Sequence, residues 1–345
     1  ASPLAVRWLP ILGSGALAFL VACVARRLGG GGFAQALSAA AVVTAPHFLF
    51  IFHVLSMNFA EVLLWSLGAW LVLVALQEGS RWPWLAFGVV AGLGLLTKHS
   101  MAVFGLGILL GLALSRDRAV LRTPWPWIAG AIAAVIAAPH VWWQVQHDWP
   151  IVEFVRNAQR EKIASVPLAG FFLELFGMTN MAASLLLVGP GLWWLLVRRD
   201  GQARPVIGWA WVAVVAVFVS QQGKPYYATP VFPPLMAAGA VFLERLTRAR
   251  PAWRALPVTV VLAGAVAFAP LGLPVLPQRA LVDYLRALGV TPSSGERHEL
   301  AELPQHFADM HGWEDLARTI SRVYLSLPEA ERAAARVFAR NYGQA

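Results

Sequence analysis

Residues 58–77 read NFAEVLLWSLGAWLVLVALQ, a run of twenty residues in which Glu61 is the one charged side chain. About 20 apolar residues cover the hydrocarbon core of a bilayer, so the run predicts a membrane span. Backbone amides inside lipid must bond within the segment, which leaves helices or closed barrel strands. Barrel strands alternate apolar and polar residues. This run does not alternate, so it is a helix.

Similar runs recur on both sides of it. We place ten at 5–25, 34–52, 58–77, 83–97, 101–115, 125–143, 170–197, 206–220, 229–246 and 256–274. The seventh is too long for one simple span, and its start, Phe171 to Phe176, suits the membrane interface. Composition agrees: 58% of the chain is hydrophobic and 13% is charged, against about 25% charged in a soluble domain. The expected fold is an all-α polytopic membrane protein of about ten transmembrane helices, residues 1–274. A small soluble α or α/β tail follows at 275–345. In the tail, 281–288 and 313–325 have helical spacing. Pro328 with Glu329 and Glu331 reads as a helix start. Val337 to Asn341 extends that helix or begins a strand.

Basic residues set the orientation. Arg and Lys collect in cytoplasmic loops. One set of alternate loops holds thirteen: Arg26, Arg27, Arg81, Arg116, Arg118, Arg122, Arg198, Arg199, Arg204, Arg245, Arg248, Arg250 and Arg254. The other holds five: Lys98, Arg156, Arg160, Lys162 and Lys224. The first set is therefore predicted to be cytoplasmic. The loops 144–167 and 221–228 and the tail are predicted to lie outside. This loop-by-loop distribution accounts for the net charge of +9 without nucleic acid, which would need one basic face. Residue 1 is Ala and the first span is entered from outside with no basic leader. We expect an earlier helix and outside loop to precede it in the complete protein. Cys23 lies inside the first span and has no partner cysteine. Gly29 to Gly32 reads as a flexible turn, since no Lys-Ser or Lys-Thr follows to make a phosphate loop.

Polar residues at membrane depth are costly and mark candidate sites. Here they gather at the outer ends of spans, in four groups. His53, Ser56, Asn58 and Glu61 open the third span. Glu61 would bind an acceptor hydroxyl, a metal or a cation, or else sit hydrogen-bonded at the interface. Thr97-Lys98-His99-Ser100 joins two short spans. Lys98 suits phosphate oxygens, or else reaches the headgroups along its aliphatic stem. Gln221 to Pro230 contains Lys224, Tyr226 and Tyr227, readable also as an aromatic belt. The loop with His140, His147, Asp148, Trp149, Glu153, Arg156, Asn157, Arg160 and Lys162 turns at His147-Asp148-Trp149-Pro150. It continues as an amphipathic stretch suited to the membrane surface. No His or Cys spacing matches a closed zinc site, and His47 reads as a packing residue.

Four of these stretches in order resemble the GT-C glycosyltransferases of the protein O-mannosyltransferase and aminoarabinose-transferase type. They are Ser56-Met-Asn-Phe-Ala-Glu61, Gly94-Leu-Leu-Thr-Lys98-His-Ser100, His147-Asp-Trp-Pro150 and Gly223-Lys-Pro-Tyr-Tyr-Ala-Thr-Pro230. Phe307 to Tyr342 is similar to the tail of bacterial members. The resemblance implies a helix bundle with an outward-facing site in the bacterial inner membrane. It implies a polyprenyl-phosphate-sugar donor, a lipid, glycan or protein acceptor, and inversion at the anomeric carbon. It assigns Glu61, Lys98 and Lys224 to catalysis. It assigns His53, Asn58, His99, His147, Asp148, Arg156, Tyr226 and Tyr227 to substrate binding. The family's general base is an Asp of the first outside loop, ahead of the first helix here. Relatives often carry Asp where Glu61 stands. Metal dependence stays open, a divalent ion at Glu61 being the cofactor such a carboxylate would suit. The alternative reading is a transporter or flippase for a lipid-linked or anionic substrate. That would favour polar residues at the midplane and an inverted repeat, and neither is visible.

Overall fold

The computed structural model describes residues 3–162, 166–198, 204–290 and 302–336. Among the described residues every regular element is helical. In chain order they are α1 (Pro3–Arg27), α2 (Gly32–Val43), α3 (Pro46–Ile51), α4 (Met57–Glu78), α5 (Trp82–Thr97), α6 (Met101–Leu114) and α7 (Trp125–Gln146). There follow α8 (Pro150–Asn157), α9 (Leu168–Met178), α10 (Met181–Val197), α11 (Pro205–Ser220), α12 (Phe232–Leu246) and α13 (Ala255–Gly272). The C-terminal part holds α14 (Gln278–Ala287), α15 (Gln305–Ala308), α16 (Trp313–Ser326) and α17 (Glu329–Ala334). Contacts divide the chain into two units, Ala1–Pro277 and Gln278–Ala345.

The first unit is an integral membrane bundle. Five segments have the length and apolarity of full spans: Leu4–Arg27, Met57–Glu78, Trp125–Gln146, Pro225–Leu246 and Pro251–Gly272. The long seventh run is broken as its length suggested. Helices α9 and α10 meet at 104°, around Thr179 and Asn180, with Asn180 at φ 67°. The remaining apolar helices, α2, α5, α6 and α11, have 12 to 16 residues. At 1.5 Å per residue they fall short of a full hydrocarbon core of about 30 Å. The expected span 34–52 is one of these. It stops at Val43 because Pro46 follows, and α3 begins with that proline at its first position.

Lipid offers no hydrophobic drive between helices, so they associate through close packing at small residues. The seam between α10 and α12 is the tightest. A Cβ on Gly191 would lie 2.7 Å from the backbone of Leu235 and Gly239, and one on Gly239 would overlap the backbone of Leu187. Between α5 and α7, a Cβ on Gly88 would sit 2.7 Å from the carbonyl oxygen of Ala129. Trp65, Trp194, Phe48 and Phe232 fill the interior beside these seams.

One end of the bundle is tied by charge. Arg27 pairs with Glu78 at 2.8 Å, and Arg204 with Asp117 at 2.9 Å. Glu244 accepts the backbone N–H of Gly31 at 2.5 Å. The glycine run is therefore not the loose turn expected of it. Gly30 packs against Val241, and Gly31 is bonded to α12. These are the ends carrying the thirteen basic residues, apart from Arg199, which lies outside the described residues.

In the second unit, α14, α16 and α17 stand where helical spacing was read. Val337 to Asn341, the proposed extension, lies outside the described residues, as does the end of the Phe307–Tyr342 stretch.

Candidate active site

At the opposite end of the bundle, Ser56 caps α4 by accepting the N–H of Asn58 at 3.3 Å. The helix therefore starts at Met57, and Asn58 and Glu61, three residues apart, share a face. Glu61 is buried, its side chain 4% exposed. An unpaired carboxylate there would be very costly. The joint between α5 and α6 supplies the partner. Lys98 leaves α5 in an extended conformation while its N–H still reaches the carbonyl of Gly94. Its ammonium turns back onto α4. Lys98 Nζ donates to Glu61 Oε2 at 2.7 Å and to Asn58 Oδ1 at 3.1 Å. Ser100 Oγ donates to the other carboxylate oxygen, Glu61 Oε1. Gly94 makes the joint possible, since a side chain there would strike Met101 at the start of α6.

The remaining side of the ammonium faces two rings. Lys98 Nζ lies 5.2 Å from the centre of Tyr226 and 5.0 Å from that of Tyr227. Both tyrosines sit in the 3-10 turn Pro225–Val231 that leads into α12. Tyr226 packs beside His47, and Tyr227 beside Phe218. Ring faces carry negative potential and attract a cation. Lys98 thus sits in a cage of one carboxylate, one amide and two aromatic faces, built from α4, the α5–α6 joint and the 3-10 turn before α12.

This cage gathers five of the residues singled out from sequence: Asn58, Glu61, Lys98, Tyr226 and Tyr227. It also shows that both oxygens of Glu61 are engaged by protein donors. Lys224 lies just before the tyrosines and interacts with Glu174 of α9. Sequence reading passed over Glu174. It was hidden in the apolar stretch Phe171 to Phe176, where a lone carboxylate was itself the signal. His53 lies in the turn before α4, its Nε2 buried without a hydrogen-bond partner. Burial, and secondarily the charge of Arg7 on α1, push its pKa below the ordinary imidazole value. Arg7 was likewise missed, because it sits within the first span.

The outer-loop residues form a separate group. His99 Nε2 is 3.0 Å from His140 Nε2 of α7. Burial and the neighbouring His140 lower the His99 pKa. His147 stacks on Trp143 with ring centres 4.3 Å apart. Asp148 and Trp149 both take φ near 57°. The predicted turn is tied to Gln144, whose carbonyl accepts the N–H of Trp149 at 2.8 Å and whose side chain accepts that of Ile151 at 3.1 Å. The amphipathic helix α8 follows with Arg156 exposed. Neither Asp148 nor Arg156 joins the cage. The side chain of Lys162 lies outside the described residues.

Residues 1–143 match the family model described as dolichyl-phosphate-mannose-protein mannosyltransferase. The match includes Glu61 and Lys98 but stops short of Tyr226. A search of curated proteins finds no significant match. Among solved structures, the apo form of ArnT from Cupriavidus metallidurans superposes with a TM-score of 0.58 at 20% identity, over 74% of this chain and 48% of that one. The same enzyme bound to undecaprenyl phosphate gives 0.58 at 18% identity, over 82% of this chain and 58% of that one. The fold is the GT-C fold of ArnT. The chain spans about half the length of the ArnT chains it matches. In this GT-C bundle the caged lysine stands at the end opposite the ion pairs of Arg27 and Arg204.

Proposed function

We propose that the protein is a membrane glycosyltransferase. It moves a sugar from a polyprenyl-phosphate donor to a lipid, glycan or protein acceptor on the outer face of the bacterial inner membrane, with residues 275–345 as a soluble outer domain. The observation that carries this reading is the cage of Lys98. A cation is held in place at the poorly basic end of a GT-C bundle, between a buried carboxylate and two tyrosine faces. The family model over residues 1–143 and the undecaprenyl phosphate bound to ArnT support a donor of this class.

In the proposed reaction the acceptor oxygen forms a bond to the anomeric carbon as the bond from that carbon to the phosphate oxygen breaks. The phosphate keeps the electron pair and gains one negative charge. The hydroxyl proton passes to a general base outside the cage. Glu61, Asn58 and Ser100 fix Lys98, so its charge is in place before the phosphate's charge develops. Such preorganised stabilisation is commonly the largest catalytic contribution. The leaving phosphate would be met by Lys98 together with hydrogen bonds from Tyr226 or Tyr227. Lys224 would add a second cation, and Arg156 a third from the loop. His53, His99, His147 and Asp148 would line the approach of the acceptor.

The test uses the complete natural protein in detergent with a panel of radiolabelled polyprenyl-phosphate sugars. Transfer from one donor, normalised to folded protein, should fall about 10²–10³-fold in Lys98→Ala, as for loss of one transition-state contact. Near-wild-type transfer in that variant refutes the role of Lys98. Label that crosses a proteoliposome membrane without any transfer refutes the enzyme reading and makes the protein a transporter.

A further inference from the structure

A second constellation at the same end of the bundle has no part in the cage. His99 and His140 face each other through their Nε2 atoms at 3.0 Å, with ring planes inclined by 45°. They come from different elements, His99 from the joint one residue past Lys98 and His140 from α7. Their spacing does not depend on flexible loops. The α5–α7 seam carries it, where Gly88 packs against the backbone of Ala129 and Gly92 against the side chain of Ile136. Trp143 stacks on His140, with ring centres 6.5 Å apart. Gln144 Nε2 lies 3.3 Å from the same His140 nitrogen. His99 is exposed and His140 half-buried, so the pair is reachable from the protein surface.

We propose that His99 and His140 form a binding site for a divalent first-row transition ion, with zinc the probe of choice. Zinc binds imidazole nitrogen at about 2.0–2.1 Å, which in a tetrahedron sets two nitrogens about 3.3 Å apart. The observed separation is within a few tenths of an ångström of that. Neutral imidazole is the form that ligates such ions. In the apo pair one ring donates its Nε2–H to the other. To bind metal, that ring carries its proton on Nδ1 instead, and no proton need leave the protein. Among the described residues no group of three or more His, Cys, Asp and Glu is placed to hold an ion. The remaining positions would therefore be filled by water or by an oxygen of a bound molecule. Such an ion would cross-link the α5–α6 joint, next to Lys98, to α7.

The experiment is titration of the chelator-stripped, complete natural protein with zinc chloride alone, followed by calorimetry. His99→Asn, His140→Asn and His147→Asn run in parallel, and zinc-edge X-ray absorption reads the ligands. One saturable ion is expected, weakened at least tenfold in His99→Asn and in His140→Asn, unchanged in His147→Asn, with two imidazoles in its first shell. No saturable zinc binding by the wild-type protein overturns the proposal. So does binding that survives intact in both the His99 and the His140 variant.

Discussion

The Lys98–Glu61 pair makes a quantitative prediction about folding that is independent of catalysis. The two side chains are 14% and 4% exposed and meet at 2.7 Å. Breaking a buried pair by removing one partner costs about 3–5 kcal/mol, because the other charge is left uncompensated. Lys98→Met keeps the aliphatic stem and deletes the charge. It strands Glu61 with Ser100 as its remaining donor. At roughly 2–4 °C per kcal/mol for a chain of this order of size, the unfolding midpoint should drop by roughly 6–20 °C. Glu61→Leu strands Lys98 in turn, but Asn58 and the two tyrosine faces soften the loss, so a smaller drop is expected. The double variant Lys98→Met/Glu61→Leu removes both charges and fills the space with carbon. Replacing a buried pair by apolar residues is often neutral or stabilising, so it should recover most of the deficit of Lys98→Met. The assay is thermal unfolding of the detergent-solubilised protein, followed by tryptophan fluorescence, across the full double-mutant cycle. Additive losses, with the double variant as unstable as the sum of the singles, refute the reasoning that the two charges exist for each other.

Tyr227→Leu removes one ring face from Lys98 while keeping apolar bulk. It should cost about 0.5–2 kcal/mol of stability, the range of one cation–π contact, with unchanged melting as the contrary result. Gly239→Ala drives a methyl into the backbone of Leu187 and should cost about 1–3 kcal/mol or more through overpacking. Gly15→Ala, inside α1 with nothing within 4 Å of the new Cβ, should melt no lower than wild type in the same assay, since Ala favours a helix over Gly. The lowered pKa of His53, caused by burial and by Arg7, has a definite sign. Below the unfolded-state value of about 6.5 the unfolded chain binds a proton that the folded one resists. Stability from this residue is thus complete above that pH and is lost as pH falls through the folded value. His53→Asn should flatten the loss of melting temperature between pH 7.5 and 5. Superimposable pH curves for variant and wild type would count against it.

How legible all this was in the sequence depends on the range of the interaction involved. Spans are local, so their apolar runs could be read directly, as could the helix start at Pro328. The break of the span 34–52 was missed although Pro46 was in view, because apolarity continues through it to Phe52. Lys98 and Lys224 stood out because cations are scarce at that end of the chain. The pairing of Lys98 with Glu61 did not stand out, since the two lie 37 residues apart and meet only once α4 and α5 have packed. Tyr226 and Tyr227 complete the cage from still farther along the chain. Glu174 was missed for the converse reason: its apolar neighbours made the stretch look like plain lipid contact. The two lysines nevertheless obey one rule. A cation held in a low-dielectric bundle needs a nearby anion: Lys98 meets Glu61 at 2.7 Å, and the charge of Lys224 acts on Glu174. Each lone lysine at the basic-poor end of such a chain therefore implies a lone carboxylate inside some apolar helix.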